Sequence, residues 1–466
     1  MPVSCGVSCG VFGGLPTLPL LDRGAGEVVF WRGTGEGVTA RGFVADAWAL
    51  AGRLPPGRYV ANLCRDRYAF AVGFAAGLLA GRTALLNVDA AGLEGVLGAY
   101  PGCCAVVDAE VPGLAVPSVV VELGGELSGG GVRWDGVGAE IAADHVAAVV
   151  FTSGSTGVPV GHPKLWGAMV ACTRAAATRF GFGAGTVVVG TVPGHHMYGF
   201  ETTVLMPLHA GVASWCGSAF FPGDIACAVR AGMGRAVLVT TPLQVRMLLA
   251  AGLAAGTVLE GVEMVISATA PLTGALAAAA EAAWDAPVLE IFGATECGSI
   301  ASRRTVEGEA WLPYPGTMVR IGEAGAMVEA PGAGVVALAD VLEESGGGGF
   351  RLLGRRTDVV KLGGRRTSLP RLNQVLTELP GVDDGVFVVP DEGEDGAAAR
   401  LVAVVVAPGR SVEAILAALR GRIDPAFMPR RVIRVDAMPR NAVGKLPRQA
   451  LLRLVAGASG VEAGAD

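Results

Sequence analysis

A doubly wound α/β fold is predicted for most of this chain, and three observations predict it. Apolar runs of strand length recur between residues 146 and 292, Ala- and Leu-rich segments of helix length separate most of them, and polar or glycine-rich turns follow the strands. Strands covered by helices on both faces read as unbroken hydrophobic runs, which is the pattern here. After Trp311 the chain turns to short β-like pieces, and after Gly354 to a small α+β pattern. Two domains are therefore expected, 1–353 and 354–466.

Taken in order, the first 145 residues suggest a strand at 59–64, a helix at 70–80 and a strand at 83–87, the alternation of a parallel sheet. Gly124-Gly125 and Gly129-Gly130-Gly131 mark a surface loop. Strands then fit at 146–151, 186–192, 212–216, 236–240, 262–268 and 287–292. In such sheets ligands bind beyond the carboxyl ends of the strands. That rule selects the hydroxyl- and glycine-rich loop after residue 151, the stretch 193–199 with His195, His196 and Tyr198, the small residues 268–271, and 293–296. All four are expected to face one cleft. Short strands follow at 318–321, 334–338 and 350–353, with Gly346 to Gly349 as a turn. A basic run of Arg355, Arg356, Lys361, Arg365 and Arg366 leads into strands at 386–389, 401–406 and 431–435 and a helix at 412–419.

At 466 residues the chain is long enough for two or three domains with large cores. Although 52% of its residues are hydrophobic, no window approaches 18 uninterrupted apolar residues, so no membrane span is expected. The N-terminus lacks the basic start of a signal peptide, which makes the cytoplasm the expected compartment. A net charge of −6 without a basic stripe argues against a nucleic-acid partner. The nine cysteines lack zinc-knuckle spacing and are read as reduced and structural.

Residues 149–164 are the stretch around which the rest is organised. Thr152, Ser153, Gly154, Ser155, Thr156 and Gly157 follow an apolar strand, and Pro163 is read as a first-turn helix residue. Strand, hydroxyl-rich loop and helix N-terminus together predict an anion site, since glycines let several N–H groups converge. No Gly-Lys-Ser/Thr follows, so it is not the P-loop of the NTPases. An ordinary polar turn is the alternative reading of this segment taken alone.

Four motifs in fixed order extend the reading. Residues 151–157, Phe292-Gly293-Ala294-Thr295-Glu296, Gly354-Arg355 with Asp358 and Gly364, and Pro439-Arg440-Asn441-Ala442-Val443-Gly444-Lys445 resemble those of the adenylate-forming superfamily of acyl- and aryl-CoA synthetases, adenylation domains and luciferases. Residues 162–167, 196–199, 298–304 and 368–373 are similar to one branch, the stand-alone ligases of aryl polyene and xanthomonadin-type pigment clusters.

The resemblance implies two half-reactions, both at one site. A small carboxylic acid, aryl or fatty, reacts with ATP to give an acyl-adenylate and pyrophosphate. A thiol of CoA, or of phosphopantetheine on an acyl carrier protein, then displaces AMP. On this resemblance the loop from Thr152 to Gly157 holds the β- and γ-phosphates, Glu296 binds Mg²⁺, and Thr295 supports the α-phosphate. Mg²⁺ suits that arrangement because it takes one or two carboxylates plus phosphate oxygens. Phe292 stacks on adenine beside Gly293, Ala294 and Ala270, and Asp340 with Arg355 holds the ribose. Lys445 bridges the carboxylate and α-phosphate during adenylation, and His196 gates the acyl pocket. Arg371-Leu372-Asn373 stands where the family has acidic residues after the hinge loop, and two further positions depart from its pattern: Val160 replaces the loop lysine, with Lys164 as its candidate substitute, and Thr357 stands at the hinge. These two favour a competing class, a catalytically degenerate nucleotide- or acyl-binding partner protein; Glu296, Arg355 and Lys445 disfavour it.

Overall fold

A computed structural model describes residues 17–124, 139–153, 159–231, 233–255, 259–322, 325–355, 359–362, 365–390, 401–440 and 446–459. Two large, mostly parallel sheets dominate it. The six-stranded sheet runs in the order Pro159–Leu165, Val146–Ser153, Thr83–Leu86, Tyr59–Asn62, Cys103–Val107, Ser118–Val120. The nine-stranded sheet has Thr186–Gly190, Arg235–Thr240, Val262–Ser267 and Val288–Ala294 as a parallel block. Antiparallel strands Gly298–Arg304 and Leu312–Pro313 extend it on one side. The α/β class read from the sequence is the one observed, divided between two sheets.

The helix Arg67–Leu79 joins the two sheets. Asp66 caps it by accepting the N–H of Ala69 at 2.8 Å, satisfying one of the unpaired donors of the first turn. Residues 68–78 are buried all round, as expected of a helix with apolar residues on every face. They share one cluster with Val60, Ala84 and Val150 of one sheet and Phe30 of the other.

One local expectation is overturned. Residues 159–165 do not start a helix: Pro159–Leu165 is an edge strand paired antiparallel to Val146–Ser153, with Pro163 opposite Val149 and Lys164 opposite Ala148. The helix begins only at Trp166. Proline lacks an N–H, so an edge strand with one side unpaired accommodates it. The loop after Ser153 therefore joins two strands of a hairpin, and no helix N-terminus directly follows it.

Beyond Trp311 the strands expected at 318–321, 334–338 and 350–353 are joined by two that were not, giving a three-stranded sheet, Met318–Gly322, Gly325–Ala330 and Gly334–Ala337, and the hairpin Asp340–Gly346 with Gly349–Arg355. Its turn uses Gly346, Gly347 and Gly348, all at positive φ, a conformation that L side chains rarely adopt. The last part is a three-stranded sheet, Asp384–Val388, Val402–Val406 and Arg431–Arg434, packed with helices that include Val412–Leu419. Among the described residues, buried clusters from Val360 onward contain no residue before it, and the others end at Phe350. Among the described residues no helix is long and apolar enough to cross a membrane.

Candidate active site

Because four strands of the large sheet run parallel, the segments after them emerge at one end. Tyr198 ties three of them together: its hydroxyl donates to Ile266 O at 2.8 Å, with Thr240 O at 3.2 Å. Thr191 Oγ1 donates to Thr240 Oγ1 at 3.0 Å. These bonds hold the stretch containing His195 and His196 over the ends of strands Arg235–Thr240 and Val262–Ser267. The two imidazoles lie 4.5 Å apart between ring centroids. Burial lowers the pKa of His195, opposed by the charge of Asp89, which follows a strand of the other sheet. This histidine therefore feels a charge that follows a strand of the other sheet.

Ala270 lies beside Thr269, which has φ +78°. A β-branched residue in the left-handed region is strained, and such residues cluster at functional sites. The buried hydroxyl of Thr269 has no hydrogen-bond partner, so a polar group remains unpaired beside the small residues expected along the acyl and adenine pocket.

Gly293, Ala294, Thr295 and Glu296 form the end of one strand and a tight turn into the next, with Ala294 opposite Gly298. A Cβ at Gly293 would lie 2.5 Å from Gly298 O, so the turn requires close backbone approach there. Thr295 is half-buried and Glu296 exposed, which leaves that carboxylate free to face a ligand. Among the described residues no group of three or more His, Cys, Asp or Glu could hold a metal ion. One exposed carboxylate fits Mg²⁺ bound mainly through phosphate oxygens rather than a protein cage. Phe292 is 8% exposed and packs 5.6 Å from both Trp311 and Phe350, leaving little of its ring open to adenine.

On the other sheet, Thr152 Oγ1 hydrogen-bonds His162 Nε2 at 3.2 Å, and Asn87 Nδ2 donates to Phe151 O at 2.6 Å. Ser153 is the last residue of its strand; Gly154, Ser155, Thr156, Gly157 and Lys445 lie outside the described residues. Asp340 and Arg355 are Cα partners across one hairpin.

Lys164 is 7% exposed; burial lowers its pKa, and acidic groups including Glu201 and Glu296 oppose the shift. Glu201 was missed by sequence reasoning. It is 8% exposed, and its Oε1 accepts the N–H of Ser299 at 3.2 Å. A lone acid between Phe200 and the apolar run Val204-Leu205-Met206 was the available signal.

Comparisons with known proteins point to one family and one fold. Residues 101–337 match the family described as AMP-binding enzyme, and residues 371–445 match the AMP-binding enzyme C-terminal domain. A 4-coumarate–CoA ligase of Rhodobacter capsulatus is 35% identical over 177 residues; the match covers 37% of this chain and 44% of that protein's length. In fold, the chain is similar to ATP-bound MatB of Rhodopseudomonas palustris, with TM-score 0.78, 20% identity and coverage of 92% and 96% of the two chains. It is also similar to the o-succinylbenzoate CoA synthetase of Bacillus subtilis in complex with AMP, with TM-score 0.75, 17% identity and coverage of 91% and 94%.

Proposed function

This chain belongs to the family of AMP-binding enzymes, and from that premise we propose that it activates a small carboxylic acid with ATP and passes the acyl group to a thiol. The observation that carries the reading is the gathering of the Glu296 turn, the Thr269–Ala270 loop and the His195–His196 stretch at one end of the parallel block.

In the first half-reaction the acid's carboxylate attacks the α-phosphate, and the bond to pyrophosphate breaks. Magnesium, when bound, neutralises phosphate charge. The chain's own residues orient the reactants: Glu296 holds the metal, Thr295 donates to the α-phosphate, and Thr152 to Gly157 hold the β- and γ-phosphates. Asp340 and Arg355 fix the ribose, while Gly293, Ala294 and Ala270 line the adenine, the ring of Phe292 being packed against Trp311 and Phe350. Preorganised donors of this kind supply much of the barrier lowering in such transfers. Lys445, from a C-terminal domain spanning 354–466, bridges the acid's oxygen and the α-phosphate. In the second half-reaction a thiolate of CoA or a carrier-protein pantetheine attacks the acyl carbon, AMP leaves, and the thiol proton goes to solvent. His196 gates the acyl side.

An aromatic acid of the hydroxybenzoate or cinnamate type is the favoured substrate. Its support is the likeness of residues 162–167, 196–199, 298–304 and 368–373 to the pigment-cluster ligases, together with the local identity to the 4-coumarate–CoA ligase. A second reading, a nucleotide-binding partner without turnover, draws on Val160, which is 48% exposed where a lysine is expected. Pyrophosphate release over a panel of aryl and fatty acids, with ATP and Mg²⁺, decides between them. Acid-dependent release supports the ligase, whereas ATP binding without release for any acid favours the partner protein.

A further inference from the structure

A buried ion pair joins the two segments placed along the adenine, and the reaction just described gives it no task. Glu290 and Arg303 are Cα partners across the antiparallel strands Val288–Ala294 and Gly298–Arg304. The Glu290 side chain is 4% exposed and that of Arg303 17%. Glu290 Oε2 accepts Arg303 Nε at 2.7 Å and the Thr305 hydroxyl at 2.6 Å, and Arg303 Nη2 lies 2.5 Å from it. These contacts fall on one oxygen, which leaves Oε1 for a different partner. That partner is the N–H of Leu272, 3.0 Å away and 18 residues earlier in the chain.

Leu272 closes the segment that holds Ala270. That segment starts where the Ala268 N–H donates to Thr240 O at 3.4 Å. Between these two ties lie Thr269, at φ +78°, and Pro271, which has no N–H to donate. A strained residue such as Thr269 persists only where its surroundings fix it, and Glu290 supplies the fixed point on the carboxyl side. Arg303 reaches the other half of the wall. Its guanidinium carbon lies 4.5 Å from the ring centroid of Trp311, and that ring is 5.6 Å from Phe292. Phe292 directly precedes Gly293 and Ala294 and shares a strand face with Glu290. Burying two charges is costly, and apolar residues of similar volume often serve stability as well. Pairing two strands does not require a carboxylate aimed at a third segment.

We propose that Glu290 and Arg303 are positioning residues for the adenine wall, Glu290 anchoring the Ala270 segment through Leu272 and Arg303 orienting that carboxylate while backing Phe292 through Trp311. Neither side chain touches the nucleotide. The proposal rests on the assignment of Ala270, Gly293 and Ala294 to the adenine.

The test uses the full-length protein and the variants Glu290→Met, Glu290→Gln and Glu290→Met combined with Arg303→Met. Equilibrium binding of AMP, and of ATP with Mg²⁺, is measured alongside the thermal midpoint without ligand. Glu290→Met removes the acceptor and leaves the Arg303 charge uncompensated, so the midpoint should fall. Both nucleotides should bind about 10-fold more weakly, the scale of one lost hydrogen bond to a charged group. Glu290→Gln keeps an acceptor for Leu272, and its loss should be smaller. In the double variant no uncompensated charge remains, so most of the midpoint should return. Nucleotide binding should stay about 10-fold weak there, because Leu272 still lacks its partner. A double variant that regains nucleotide binding together with its midpoint overturns the proposal and makes the pair purely structural. Unaltered binding in Glu290→Met overturns it too, as does a Glu290→Gln variant as weak as Glu290→Met. The double variant decides alone should Glu290→Met not fold. If the parent protein binds nucleotide but activates no acid, the ligase reading falls while these variants still decide the adenine wall; if it binds neither nucleotide, both fall.

Discussion

Asp340 and Arg355 stand opposite one another as Cα partners of a single antiparallel hairpin, although each was selected from a different part of the sequence pattern. That pairing brings both expected ribose contacts to one end of the hairpin. Replacing Asp340 by Ala removes a charge-assisted hydrogen bond, worth about 1.5–3 kcal/mol. The KM for ATP should rise by roughly 10- to 100-fold, with a smaller change in the KM for the acid, measured by pyrophosphate release.

Gly298→Ala places a Cβ where φ is +81° and Glu201 Oε1 would be 2.6 Å away. Backbone strain of this kind costs about 1–3 kcal/mol. A lower thermal midpoint and a weaker response to Mg²⁺ are expected together, because the strained position adjoins the Glu296 turn. Gly457→Ala, in a helix where a Cβ meets nothing within 4 Å, is the control and should neither lower the midpoint nor weaken the response to Mg²⁺.

Lys445→Ala should suppress formation of the acyl-adenylate and leave transfer from a supplied acyl-adenylate to a thiol largely intact. A point charge on a long side chain suits an interaction made in only one half-reaction. Separate single-turnover assays of the two steps check this; equal loss of both contradicts a domain that rearranges between them.

His209 is buried edge-on to Trp166, with ring centroids 5.2 Å apart, and burial lowers its pKa from 6.5 to about 3. The folded protein keeps it neutral while the unfolded chain takes up a proton as pH falls through 6.5. Stability from this group is therefore full above pH 6.5 and is lost on acidification towards 3. One proton corresponds to about 1.4 kcal/mol per pH unit. His209→Phe should flatten the fall in stability between pH 6.5 and 5 by about 2 kcal/mol, read by urea unfolding at the two pH values.

Among the described cysteines, Cys227 is exposed and Cys64, Cys103, Cys104, Cys172, Cys216 and Cys297 are buried. Burial pushes Cys103 and Cys297 up to about 11 and Cys216 up to about 12, which suppresses their thiolates. In a background of Cys5→Ser and Cys9→Ser, aromatic disulfide reagents at pH 8 should label one thiol quickly. Adding Cys227→Ser should remove that phase.

The parallel strands were legible because burial on both faces forces continuous apolar runs, as in the residues before Thr152 and before Gly293. The positions of His195, Ala270 and Glu296 followed from the same pattern, since parallel strands send their following loops to one end. The strand at Pro159–Leu165 was not legible. Proline, glycine and histidine there resemble a turn leading into a helix, and only the open edge of a sheet makes the missing proline donor harmless.

The sequence by itself determined the α/β class, the order of the four motifs and the residue types offered to a nucleotide. Tertiary structure decided what lies beneath them. Lys164, read as a charge at the start of a helix, is an edge-strand residue 7% exposed, and buried Glu201 accepts the N–H of Ser299, a strand residue far from it in sequence. Periodicity along a chain reports which face is buried, not which buried polar groups meet; that follows only from the packing of two helices around Ser299.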